Sequence, residues 1–186
     1  MESIGVGMLR SHVVLMAAYN EWMNVKLYEA AGKLPSQELV SDKKAFFHSI
    51  SGTLNHILVA DTIWLKRFAK HPSHHLALDS VRKLKTPLSL DELLFTDFGE
   101  LFHQRKWLDR IIKDWAMELT GEDLSYALLY TNMKGIKAKK NFFSLIMHFF
   151  NHQTHHRGQV TTLLSQNGID IGVTDLLALI PSEIET

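Results

Sequence analysis

Apolar residues return at every third or fourth position through most of the chain, the spacing that lays a continuous stripe along one side of an α-helix. Four long segments carry this pattern. The first runs from about Met8 to Ala31 and stops at Gly32, ahead of Leu34-Pro35. The second runs from about Phe46 to Lys70 and stops before His71-Pro72. The third is expected to start near Ser89, with Glu92 three residues on as in a capping box, and to end at Thr120-Gly121. The fourth runs from about Asn141 to Gln166 and stops at Asn167-Gly168, a C-terminal helix signal. Between the third and fourth, Tyr126, Leu128 and Tyr130 alternate and residues 132–135 offer a turn, so a short β-hairpin and an irregular loop fit equally. The tail from Ile169 is expected to fold back with one helical turn around Leu176 to Ile180. No repeat, low-complexity run or linker interrupts the chain. The predicted fold class is all-α, a single domain over residues 1–186, built as an antiparallel four-helix bundle with longer crossovers.

The fourth segment contains HFFNHQTHHRGQV, in which His148, His152, His155 and His156 crowd among phenylalanines. On a helical wheel Phe142, Leu145, Phe149, Val160 and Leu163 form one narrow stripe, and His152 and His156 fall inside it. His148, His155 and Gln159 lie on its edge, while Gln153 and Arg157 point away. The bundle axis is therefore expected to meet His152 and His156, one turn apart. Two histidines at i and i+4 can ligate one metal ion, whereas a buried imidazole without a partner costs about 1–3 kcal/mol. The plain alternative is a pair of hydrogen-bonded core histidines. A third ligand must come from another segment, and His56 is the best candidate, flanked by the small residues Ser49, Gly52, Thr53 and Ala60. Three histidines with an open fourth position are the catalytic arrangement for zinc; imidazole suits nickel and iron as well. His12, His71, His74 and His75 read as loop or surface residues, and His48 and His103 as helix-face residues. His148 and Gln159 are candidates for the layer supporting the ligands, and Tyr19, Trp22, Trp64 and Tyr126 for pocket walls or ordinary core packing.

Charge narrows the function classes. Lys+Arg and Asp+Glu both number 20, so no net charge invites nucleic acid or an anionic membrane surface. The one basic run, Lys134 to Lys140, reads as a solvated turn. With no cysteine, disulfides, thiolate metal sites and a cysteine nucleophile are excluded. The N-terminal stretch does not read as a signal peptide and no segment suits a membrane span, which together predict a cytoplasmic protein.

Standard metal motifs fit poorly. Gln153 stands where a zincin places its glutamate base, and only one Glu-x-x-His, at Glu100 and His103, matches the four-helix di-iron pattern. Gly-rich phosphate loops and Gly-x-Ser-x-Gly elbows are absent.

The stretch from His148 to Gln159 resembles the signature of the DinB family, the DinB/YfiT-like metalloenzymes. Tyr19-Asn20-x-Trp22-x-Asn24 resembles a motif on the family's first helix. Ser49-Ile50-x-x-Thr53-Leu54-x-His56-Ile57, with Asp61 and Trp64, resembles its second-helix pattern, and Gly168-Ile-Asp and Thr174-Asp175-Leu-Leu its ending. The likeness covers about Leu9 to Leu177. It implies a four-helix bundle holding a divalent metal through three histidines, at positions matching His56, His152 and His156. It also implies a homodimer, which Leu54, Leu58 and Leu65, opposite His56, support as well as they support burial inside one chain. Relatives in the wider superfamily resemble thiol-dependent S-transferases that activate a low-molecular-weight thiol such as bacillithiol or mycothiol; others have been proposed as metal-dependent hydrolases. The leading expectation is thus a metal-dependent transferase acting on a small-molecule substrate, with zinc or nickel ahead of iron. A hydrolase, with Glu21, Asp61 or His148 as base, and a non-catalytic metal- or ligand-binding bundle are the alternatives.

Overall fold

A computed structural model describes residues 4–182; residues 1–3 and 183–186, which end the N-terminal stretch and the tail read above, lie outside it. Four long helices dominate: α1 (Ile4–Ala31), α3 (Ile50–Phe68), α5 (Phe98–Glu118) and α7 (Phe142–Gln166). Short helices α2 (Ser36–Val40), α4 (Asp79–Lys83) and α6 (Gly121–Ser125) lie between them. Strands β1 (Ala127–Thr131) and β2 (Lys137–Asn141) precede α7, and a 3₁₀ turn (Leu176–Leu179) ends the tail. The chain is mostly helical with one small sheet. α1 packs along α5 and α7, and α3 along α7. Among the described residues, no helix is long and apolar enough to cross a membrane.

Local chemistry explains the boundaries. The Asn141 side chain accepts from Ser144 N–H at 2.9 Å and starts α7 one residue after the hairpin. The hairpin is antiparallel, with Leu128 opposite Lys140 and Tyr130 opposite Ala138. Opposed residues share a face, so Lys140 and Ala138 stand with the buried Leu128 and Tyr130. The second long helix starts later than the sequence suggests, at Ile50, because Lys44 and His48 adopt left-handed backbone (φ 55° and 63°) and turn the chain sharply first. His48 therefore sits in a turn, not on a helix face. The Ser49 side chain then caps α3 by accepting from Gly52 N–H at 2.9 Å.

Ser89 does not begin the third long helix. α5 starts at Phe98, capped by Asp97, whose carboxylate accepts from Glu100 N–H at 2.8 Å. Residues 84–97 stay irregular because α3 holds them: Asn55 bonds both the N–H and the carbonyl of Phe95 at 3.0 Å.

The apolar face of Leu54, Leu58 and Leu65 is covered within the chain, at 1% exposure or less, so that face offers nothing to a second copy. The stripe expected to point down the bundle axis is one edge of a wider buried arc on α7, which also includes Phe150, Gln153, Arg157 and Leu164. Gln153 and Arg157 belong to a polar cluster in the centre of the molecule. Arg105 donates to Asp61 at 2.5 Å and lies 2.8 Å from Asp109. Asn20 and Asn24 both donate to Asp109 at 2.9 Å, and Arg157 donates to Asn20. All four long helices contribute a member. Arg157, read as pointing away from the stripe, is thus buried and finds the Asn20 amide on another helix.

Candidate metal centre

His56 stands two turns into α3, and His152 and His156 one turn apart on α7, so the packing of α3 on α7 brings them together. The His56 Nε2 lies 3.1 Å from His156 Nε2 and 3.3 Å from His152 Nε2. The far side of each of two rings is committed. His56 Nδ1 lies 2.7 Å from the Leu90 carbonyl oxygen, which can only accept, so Nδ1 carries the proton. His156 Nδ1 lies 2.8 Å from Gln159 Oε1, and the same amide's nitrogen lies 3.2 Å from His155 Nε2. With Nδ1–H donating on both rings, the facing Nε2 atoms present bare lone pairs to each other. Phe47 stacks on the His56 ring at 3.7 Å between centroids. Burial, with the neighbouring imidazoles adding to it, lowers the pKa of His152 to about 3. Burial likewise lowers His56 to about 4, against the opposing bond to Leu90, and lowers His156. The three rings are neutral at neutral pH.

Gln159 orients His156. His148 lies 6.1 Å from His152 between ring centroids and packs edge-on against Trp64 at 5.1 Å. Trp64 is therefore the one proposed wall residue that reaches the histidines, through His148. Tyr126 packs instead on His71. Tyr19 and Trp22 pack on each other, Tyr19 donates to the Thr174 carbonyl at 2.7 Å, and Arg157 lies over its ring. Two of the three candidate bases are occupied elsewhere, Asp61 by Arg105 and Glu21 by Lys113 at 2.6 Å, while the third, His148, stays beside His152. Gln153, at the zincin base position, is fully buried and accepts from Arg157. A cavity of about 620 Å³ opens beside His56, lined by Phe46, Phe47, Gly52, Leu90 and Leu93 among others.

A second group was missed. His71 and His75 are each 5% exposed, not on the surface, and meet Asp123. His75 Nε2 lies 3.3 Å from Asp123 Oδ2 and His71 Nδ1 3.7 Å from Oδ1. These residues could hold a metal ion, and His71 Nε2 and His75 Nδ1 have no partner among the described residues, but the Asp123 carboxylate is largely spent. Asp123 accepts from Thr120 N–H and Thr120 O–H at 2.8 Å, and from the Ser73 hydroxyl, closing the capping box of α6. Ser73 N–H donates to His71 Nδ1 at 3.2 Å. Burial would raise the Asp123 pKa, but the bonds from Ser73, Thr120 and His75 bring it to about 2. His-Pro-Ser-His-His looks like a surface turn in sequence, and only the distant Asp123 reveals its burial.

The family model of the DinB family matches residues 8–186. The chain belongs to the DinB family. It is 30% identical over 164 residues to Protein DinB of Bacillus subtilis (strain 168), covering 84% of this chain and 87% of that one. No solved structure matches. The DinB family assignment and the two histidine groups together support a divalent metal.

Proposed function

We propose that the protein is a divalent-metal-dependent enzyme, a single domain folded as a four-helix bundle, whose centre is His56, His152 and His156. The observation that carries this reading is the pair of bare Nε2 atoms 3.1 Å apart, each held in that tautomer by a bond on its other nitrogen. Two lone pairs so close repel unless a cation lies between them. The separations also suit the ion: ligands about 2.0–2.1 Å from a tetrahedral zinc stand about 3.3–3.4 Å apart. Leu90 and Gln159 do what supporting groups do in metal sites, fixing tautomer and ring direction. Zinc and nickel fit the all-imidazole set best, with iron third.

Of the reactions, group transfer from a low-molecular-weight thiol to a small-molecule substrate is favoured over hydrolysis. A cation in the site would lower the pKa of a thiol or water on its open side. A hydrolase also wants a base beside the water. Among the described residues no carboxylate joins the three histidines within 4.8 Å, Asp61 and Glu21 are bound to cations, and only His148 and Asp91, at the cavity's rim, are left for that role. Phe47 and Leu90 give the cavity beside His56 apolar walls, which suit an electrophile's hydrocarbon body. Neither a homodimer nor a cytoplasmic location is needed for this chemistry, and both remain part of the proposal through the family resemblance.

The test is elemental analysis of protein purified without immobilised metal, beside His56→Ala. A stoichiometric metal lost in the variant supports the reading; no metal in either, even after each ion is added back, sinks it. Turnover of electrophiles only with added thiol then separates transferase from hydrolase.

A further inference from the structure

Of the four cations around the cleft between α3, the hairpin and residues 82–88, two are fully engaged. Lys66 donates to the carbonyls of Val81, Arg82 and Leu84. Arg82 bonds the carbonyls of Ala69 and His75 and the carboxylate of Asp79. Arg67 is different. Its guanidinium lies 4.6 Å over the Trp64 ring and 5.4 Å over the Tyr130 ring, and among the described residues it has neither a carboxylate nor a hydrogen-bond partner. An arginine held flat by aromatic faces keeps its N–H edge free and already oriented. The cleft it lines has a volume of about 630 Å³, within the range of small-molecule sites.

This cleft adjoins the histidines. Trp64, under Arg67, packs against His148, and His148 against His152. Arg67 follows His56 by three turns of α3, so the two share a helix face about 16 Å apart along the axis. On the other side stands Lys140, opposite the buried Leu128 in the hairpin and itself exposed. Arg67 and Lys140 both lie near enough to His148 to act on it electrostatically, adding to the burial that lowers its pKa. The basic run that reads as a solvated turn in sequence therefore turns one lysine toward the site. Asp79 offsets Arg82, but among the described residues no carboxylate pairs with Arg67 or Lys140.

We propose that Arg67, with Lys140, is the anion-binding arm of the His56/His152/His156 site, so that the small molecule acted on there is extended and carries a carboxylate or phosphate at one end. This rests on the metal-centre reading above and adds a substrate class to it. The guanidinium edge takes two oxygens of the anion, Lys140 supplies a second charge, and the apolar cavity beside His56 takes the opposite end.

The test is calorimetric titration of the full chain with inorganic phosphate at constant ionic strength, in metal-replete and chelator-treated forms. The wild type is expected to bind saturably in both. Arg67→Gln should weaken binding about ten-fold or more, the scale of a lost charge-assisted hydrogen bond, and Lys140→Gln should weaken it less. Lys134→Gln, at the hairpin turn, should leave it unchanged. Should Arg67→Gln fail to fold by circular dichroism, Lys140→Gln decides alone. No saturable binding, or equal affinity in the folded variants, overturns the proposal. So does phosphate binding that vanishes on chelation and ignores both variants, since the anion then sits on the metal. Arg67-dependent binding in a chain that takes up no metal supports the arm and removes the metal reading, so the two failures are distinguishable.

Discussion

The carbonyl oxygen of Phe47 lies 2.2 Å from where a β-carbon on residue 52 would stand, so Gly52 and Phe47 fit together only because residue 52 has no side chain. The same Phe47 stacks its ring on His56. Gly52→Ala is expected to destabilise the protein by about 1–3 kcal/mol, as overpacking does, and to loosen metal retention by shifting Phe47. Urea denaturation checks the first and dialysis against a chelator the second. An alanine variant as stable as the parent contradicts the close approach.

Gln159 holds His156 without being one of the proposed ligands, so its removal separates orientation from ligation. Gln159→Leu is expected to weaken metal affinity about 10–100-fold, the usual loss for a group that orients a ligand, with the helical content intact. Competition with a chromophoric chelator reads this directly. An unchanged affinity would show that the helix alone aims His156.

The central polar cluster predicts a sharp stability loss. Arg105 is fully buried between Asp61 and Asp109. Burial raises both carboxylates, to about 7 and about 6, with Arg105 opposing. Arg105→Met leaves two buried acids without their cation and should cost about 3–5 kcal/mol. A loss under about 1 kcal/mol in a denaturation midpoint series would mean that water or rearrangement compensates.

Acid should weaken the metal-free fold through the histidines. Their folded pKa values are depressed, to about 4 for His56 and about 3 for His152, below an ordinary value of 6.5. The unfolded chain therefore takes up protons first as pH falls, and the stability these rings contribute, full above 6.5, drains away toward pH 4 and below. Asp61, with its raised pKa, works in the opposite sense between about 4 and 7. A His56→Gln/His152→Gln variant keeps that acid and loses the histidine effect. Its urea midpoint should fall less steeply than the parent's between pH 7 and 4; parallel curves would refute the burial argument.

Asp123 separates the two histidine groups. Asp123→Ala removes the Asp123 half of the α6 capping box and the acceptor for Ser73 and His75, and should cost about 1–2 kcal/mol, while the metal per chain stays as before. A drop in bound metal would instead assign an ion to His71, His75 and Asp123.

Local features were legible in the sequence. Asn141 before a helical stripe, the alternation in 126–130 and the i, i+4 spacing of His152 and His156 each depend on neighbours a few residues away. The groups that finish the site depend on distant ones. Leu90 acts through its carbonyl, which every residue has, so no side-chain pattern could flag it. Ser89 and Glu92 have the right spacing for a capping box, yet Asn55 and His56, more than thirty residues earlier, hold that segment irregular. Gln153 and Arg157 are polar and so look outward on a wheel; Asn20, Asp61, Arg105 and Asp109 on the other three helices make their burial tolerable.

The tail is tied down in a similar anonymous way. Tyr19 donates to the carbonyl of Thr174 and Lys26 to that of Val173, so both tethers grip backbone, not side chains. Substitutions at positions 173 and 174 leave both acceptors in place. Sequence drift there can proceed while the strap stays fastened, and a comparison of homologues would find variable letters over an invariant path.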